Sequence, residues 1–335
     1  METRGSRRAV VLPVAVLLVL AALAVVLTVA ARGSAGRPGT AEGTSAGTPA
    51  GSSEGAPAGP AGPAPVDLAA RVDGYTADFG PATGYTVPDA VRRRAVADGV
   101  LRAVEGRPQE AGRALAQAGY RLTEFTEAGS GRRVAEIAED GTAPEGRGWG
   151  RVYLDLSAPA GWTVQVPHPV SDSRTEQLGV ELFRAAPGGV LVLAGAHRRA
   201  GEGGSADPAH RADTVFAAVV EALTARGLPG IQVHGFDEGS LPGQDAVVSS
   251  GTGPAGAAAE LTASGLGQAG FAVCRAWREK CGQLEGTTNV EGRFAAGLGV
   301  PWLHVELGNG LRTEPARRAA VAEVLAATAR SWRGP

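Results

Sequence analysis

Residues 161–176 read GWTVQVPHPVSDSRTE. Thr163, Val164, Gln165 and Val166 alternate well enough for a short strand. Pro167 and Pro169 end it, because proline has no N–H to give to a ladder. His168 stands between them, at the strand's end. Ser171 to Ser173 then offer caps for a helix running through Gln177 and Leu178 towards Phe183. Asp172 and Glu176 fall one turn apart on one face of that helix. An imidazole followed by carboxylates at a strand-to-helix junction is how an α/β protein begins a zinc site. Ser173 and Glu176 also fit a capping box, in which Glu176 only closes the helix start.

Outward from this stretch the pattern is regular. Strand-like runs fall at 152–156, 163–166, 190–193, 230–233, 246–249, 271–274 and 302–307. Helix-like runs fall at 172–185, 211–226, 255–269, 289–298 and 314–332. Such alternation implies an α/β fold, a mostly parallel or mixed sheet with helices on both faces. Residues 149–335 are expected to form this domain. Residues 66–148 read as an N-terminal α+β region, with helices near 88–107 and 108–118 and a hairpin made of 120–127 and 133–139. That region either packs on the main domain or forms the sheet's antiparallel edge.

The start of the chain is of another kind. Residues 1–8 carry Arg4, Arg7 and Arg8, and residues 9–31 are an uncharged apolar run. The run can cross a bilayer, for which ~20 residues suffice. The preceding arginines place the N-terminus in the cytoplasm and the remainder outside. The sequence leaves open whether the run stays as a transmembrane anchor or is cleaved as a signal, giving a membrane-bound or a secreted protein. Residues 32–65 are Gly, Ala, Ser, Thr and Pro with almost no large apolar side chain, and read as a disordered tether. In the exported compartment Cys274 and Cys281 could pair, although their spacing also suits two free thiols. The 335 residues carry a formal charge of -2, which gives no electrostatic footprint for nucleic acid. Lys280 is the single lysine, so any fixed cation at a site is a guanidinium.

There are five histidines. His168 follows TVQVP, His197 follows VLVLAGA, His234 follows IQV, and His304 lies in WLHVELG. Each falls at or near the end of an apolar strand, the rim at which open α/β sheets bind ligands. In the last of these strands the period of two puts His304 and Glu306 on one face. A glutamate in an apolar strand is costly unless it is paired or catalytic. Near a metal it could act as general base on a water; a salt bridge to Arg312 or Arg293 is the plainer reading.

VPHPVSDSRTE, IQVHGF and VPWLHVELGNGLR together resemble the zinc-dependent amidohydrolases with a carboxypeptidase-related fold. These include the N-formylglutamate amidohydrolases, poly-γ-glutamate hydrolases and N-acetylmuramoyl-L-alanine amidases. The resemblance covers about residues 164–312 and lies in the order and context of residues. It implies zinc held by His168, Glu176 and His234, with Asp172 as the alternative ligand, and Glu306 as the base. It implies hydrolysis of an amide or peptide bond, in an acyl-amino acid or a cell-envelope peptide. The spacing from His168 to Glu176 is longer than the HxxE of carboxypeptidases and shorter than the gap in muramoyl amidases, so the third ligand stays open between Asp172 and Glu176. Arg174, Arg293, Arg312 and His197 are the candidate substrate contacts, with Arg198, Arg199 and Arg211 as secondary ones.

Other signals are weaker. Residues 251–256 fit G-x-G-x-x-G, but no acidic residue ends a following strand at the distance a dinucleotide site needs. No G-x-S-x-G elbow is present. The rival functions are a non-catalytic extracytoplasmic binding module of the same fold and a phosphate-ester hydrolase.

Overall fold

The protein is described by a computed structural model over residues 64–141 and 146–333. The apolar run 9–31 and nearly all of the tether 32–65 lie outside the described residues. Among the described residues no helix is long and apolar enough to cross a membrane.

Three helices come first: α1 (Leu68–Thr76), α2 (Ala90–Val104) and α3 (Pro108–Ala116). Asp67 and Asp89 start α1 and α2 by accepting backbone N–H groups from Ala69 and Arg92. A hairpin follows, β1 (Tyr120–Thr126) and β2 (Arg133–Glu139), as its alternating pattern suggests. Then come β3 (Arg151–Asp155), β4 (Trp162–Val166), α4 (Thr175–Ala185), β5 (Gly189–Leu193), α5 (Val215–Ala225), β6 (Gly230–Phe236), β7 (Ala246–Ser249), α6 (Ala257–Gln268), β8 (Val273–Arg275), α7 (Val290–Leu298), β9 (Trp302–Gly308), α8 (Asn309–Thr313) and α9 (Pro315–Ser331).

The strands form one sheet in the order β1-β2-β3-β5-β4-β6-β9-β7-β8. The centre, β5-β4-β6-β9, is parallel. On one side β3 pairs antiparallel to β5, and the hairpin continues that edge. On the other, β7 runs antiparallel to β9 and carries β8. The sheet is therefore mixed. The hairpin β1–β2 of the α+β region pairs with β3 and so supplies the antiparallel edge of the main sheet.

Each face of the sheet has its own core. Val164, Val166, Leu191, Leu193, Val305 and Leu307 pack with α4, α6 and α9. Val152, Leu154, Val190 and Val192 pack with α2, α3 and α5. The central strands are buried on both faces, as parallel strands with helices on either side must be. Gly179 sets the closeness of α4: a Cβ there would meet Val166 at 2.7 Å.

The chain moves from β4 to β5 on one side and then to β6 on the other. The order thus reverses between β4 and β6, and a crevice opens at their C-terminal ends. His168 leaves β4 and His234 ends β6 beside it. In β9, Glu306 pairs in register with His234.

Candidate metal centre

The turn after β4 creates the cluster. It doubles back so that the Asp172 N–H donates to the His168 carbonyl at 3.0 Å. Val170 and Arg174 adopt left-handed φ values of 65° and 66°, a strain of ~1–3 kcal/mol each. Glu176 holds the turn, its Oε2 accepting the Val170 N–H at 3.0 Å. The capping box expected at Ser173 does not form. Left-handed Arg174 occupies the N-cap, and the helix starts only at Thr175 because the turn takes the preceding residues.

Asp172 Oδ2 is the meeting point. His168 Nδ1 lies 3.1 Å from it and His234 Nδ1 3.4 Å. The Gly235 N–H also donates to this oxygen, at 3.2 Å. The second nitrogen of each ring is taken: His168 Nε2 lies 2.8 Å from Asp207 Oδ1, and His234 Nε2 lies 2.7 Å from Gln232 Oε1. All three residues of the cluster are buried.

These donors suit a metal ion. Two ligands of a tetrahedral ion bonded at ~2.0–2.1 Å are about 3.3 Å apart, and the two nitrogen-to-Asp172 distances bracket that value. With its proton on Nε2 towards Gln232, His234 turns its Nδ1 lone pair to a carboxylate oxygen, an arrangement that a cation between the two would stabilise. An imidazole whose other nitrogen is held by a carboxylate or carbonyl oxygen is the arrangement that orients metal-ligating histidines. The charges agree. Burial opposes protonation of His168, but its bonds to Asp172 and Asp207 outweigh it and raise the imidazole to about 9. The cluster therefore holds a proton at neutral pH, which must leave when a metal binds. Burial drives His234 down to about 4 and His304 well below its ordinary value. Burial would raise Asp172, yet the two histidines hold it far below the usual carboxylate range.

Glu306 borders the cluster. Its carboxylate is 3.9 Å from His304 Nε2, and His234, His304 and Glu306 form a second close group that shares His234. Burial first, then the charge of Asp172, lifts Glu306 to about 8. These residues line a cavity of about 460 Å³ with Arg198, His210, Asn289 and the segment 283–288. Left-handed Gly286 brings that segment onto the His304 ring, where a Cβ would sit 2.6 Å from it. A larger cavity of about 690 Å³ opens at the start of β9, but its lining includes no titratable side chain.

No family model and no curated protein matches the chain. Solved structures do match at low similarity. A bacteriophage poly-gamma-glutamate hydrolase is 15% identical over 57% of this chain and 93% of its own, with a TM-score of 0.40. A gene product of Agrobacterium tumefaciens is 14% identical over 53% of this chain and 92% of its own, with a TM-score of 0.38. An aspartoacylase family protein from Mesorhizobium loti is 9% identical over 62% of this chain and 67% of its own, with a TM-score of 0.35. The first is of a kind named by the sequence resemblance; at these scores the likenesses bear no weight on function.

The remaining sequence candidates fall elsewhere. Glu176 supports the turn, and the third position of the cluster is filled by its alternative, Asp172. Arg312 is buried, and its guanidinium donates to the carbonyls of Leu307, Ser173 and Phe236, so it braces the strand ends. Arg174 pairs with Asp73 on the surface. Arg293 donates to the Thr287 carbonyl and steadies the segment bordering the cavity. His197 is buried, and its Nδ1 accepts the Arg199 N–H. Among the described residues the arginine lining the cavity is Arg198, 3.3 Å from His168 Nδ1 and paired with Asp207 at 2.9 Å. Asp207 and Gln232 were not legible as site residues. The only signal for Gln232 was a polar residue on the same strand face as His234.

Proposed function

We propose that the protein is a zinc-dependent hydrolase of an amide or peptide bond. One observation carries this reading: His168 Nδ1 and His234 Nδ1 converge on Asp172 Oδ2, and both imidazoles line one cavity with the buried carboxylate of Glu306. His168, His234 and Asp172 would hold the ion. Two imidazoles and one carboxylate leave room for water or substrate, the pattern of catalytic rather than structural zinc. When bound, zinc supplies Lewis acidity towards a carbonyl and a water.

The chain's own groups do the rest. Glu306 takes a proton from the attacking water and passes it to the leaving nitrogen. Its burial gives it the proton affinity for this role, and a nearby cation would draw its pKa back towards neutrality. Asp207 and Gln232 keep both histidines aimed. Arg198 offers a guanidinium to the carbonyl oxygen or to a substrate carboxylate. The segment 283–288 forms one wall of the cavity.

The substrate class we infer is an acyl-amino acid or a peptide of the cell envelope. Its support is the arginine at the cavity and the N-terminal sequence, basic residues 1–8 before the apolar run 9–31, which suits an anchored or secreted protein. The Cys274–Cys281 disulfide fits an oxidising compartment. Hydrolysis of a panel of acyl-amino acids and short peptides by the zinc-loaded protein tests the reading. Release of free amine, abolished by chelation and by Glu306→Gln, is expected. A zinc-loaded protein that binds these compounds without cleaving them would instead be a binding module.

A further inference from the structure

A buried polar chain reaches His234 from two sides. Gln232 lies two residues before it on β6 and is fully buried. Its side-chain amide makes four contacts. Oε1 accepts from His234 Nε2 and from Asn289 Nδ2. Nε2 donates to Gln165 Oε1 at 3.2 Å and to Glu291 Oε2 at 3.3 Å.

The direction of this amide is not free. On one side Asn289 caps α7, its Oδ1 accepting the Gly292 backbone N–H at 2.9 Å. A backbone N–H can only donate, so Asn289 must turn its NH2 towards Gln232, which must answer with oxygen. On the other side the Trp302 indole N–H donates to Gln165 Oε1 at 3.1 Å. An indole N–H also only donates, so this contact places oxygen towards Gln232, which must answer with NH2. Gln165 Nε2 in turn donates to Thr163 Oγ1 at 2.9 Å. Two one-way donors on different elements thus impose the same orientation on Gln232. With Oε1 fixed towards the ring, His234 must carry its proton on Nε2 and present the Nδ1 lone pair to Asp172.

We propose that Gln232 is the positioning residue that sets the tautomer of His234 and thereby readies its Nδ1 for the metal. The proposal rests on the metal reading above and deepens it: in the free protein the His234 ring already carries its proton on the nitrogen that binding leaves protonated. A carboxylate would do the same for the ring but would add a charge next to Glu291. The neutral amide avoids this, and its NH2 fills acceptors on Gln165 and Glu291 that a carboxylate would leave empty.

The test is nitrogen-15 NMR of the histidine rings in the metal-free full-length protein, with zinc affinity measured by chelator competition. The parent is expected to show His234 protonated on Nε2. Gln232→Met, of similar size but with no oxygen acceptor, is expected to mix the two tautomers and bind zinc ~10–100-fold more weakly, the range for loss of such a partner. Gln232→Glu keeps an acceptor and is expected to retain the Nε2 proton and affinity within about threefold of the parent, although it loses both NH2 bonds. A purely structural role predicts the reverse, with the Glu variant harmed at least as much as the Met variant. A parent with His234 protonated on Nδ1 overturns the proposal even if neither variant folds. So does a Gln232→Met protein that binds zinc as the parent does. A parent that shows the Nε2 proton but binds no zinc contradicts the metal reading, and with it the readying of Nδ1 for a metal.

Discussion

His168 Nδ1 lies 3.1 Å from Asp172 Oδ2, within a turn that carries two strained residues and is pinned by Glu176. Asp172, in the turn, and Glu176, in the first turn of α4, therefore have different duties. Asp172→Ala is expected to remove zinc, because it deletes the oxygen that both imidazoles share. Glu176→Gln is expected to keep zinc, since an amide oxygen can still accept the Val170 N–H, and to cost about 1 kcal/mol of stability as a charged acceptor becomes neutral. Metal content and thermal unfolding of the two variants separate these roles.

Glu306→Gln should leave the histidines and Asp172 in place. It is expected to bind zinc like the parent and to lose ~10²–10⁴-fold in turnover, the usual share of a general base. Loss of metal in this variant would instead make Glu306 a ligand.

Glu291 gives a pH prediction. Burial raises its carboxyl to about 8 from an ordinary value of 4.5, and one of its oxygens has no hydrogen-bond partner. Between those values the folded state keeps a proton that the unfolded state has released. Its contribution to stability is therefore complete below about 4.5, declines as pH rises, and is lost above about 8. Glu291→Gln keeps the acceptor facing Gln232 without the proton. Its unfolding free energy relative to the parent should rise from pH 5 to pH 9; parallel curves across that range would contradict the assignment.

The Cys274–Cys281 bond closes a short loop ahead of the segment that borders the cavity. Cys281 N also donates to Glu285 Oε1 at 2.7 Å. Chain-entropy reasoning gives a stabilisation of about 2 kcal/mol for so short a loop. The Cys274→Ala and Cys281→Ala double variant should unfold at lower temperature. It should also lose more in substrate affinity than in zinc affinity, because the segment touches the cavity while the metal cluster sits on β6 and the turn after β4.

Much of this architecture is legible in the sequence, and the limits are physical. The central strands stand out because parallel strands buried on both faces are rich in apolar residues, as in VLVL. Four of the five histidines stand out because they follow or lie within such strand-like runs. Pairing carries the rest. Nothing local shows that β7 returns antiparallel beside β9, or that Asp207, 39 residues after His168, comes to its Nε2. The arginines mislead for a related reason. Arg312 is near Glu306 in sequence, but its planar fork is used up on the backbone carbonyls of Phe236 and Leu307 at the ends of β6 and β9 and of Ser173 in the turn before α4. Arg198, on the loop after β5, reaches the cavity only because the chain crosses from β5 to β6 over the crevice.

The central claim is that His168, Asp172 and His234 hold one ion. Zinc content of the full-length protein, purified without chelator, tests it most directly beside His168→Ala and His234→Ala. The account predicts about one zinc per chain in the parent and almost none in either variant while both remain folded, since three ligands are the minimum for a catalytic site. A folded parent that takes up no zinc after the metal is added, or variants that hold it as tightly as the parent, would contradict the account.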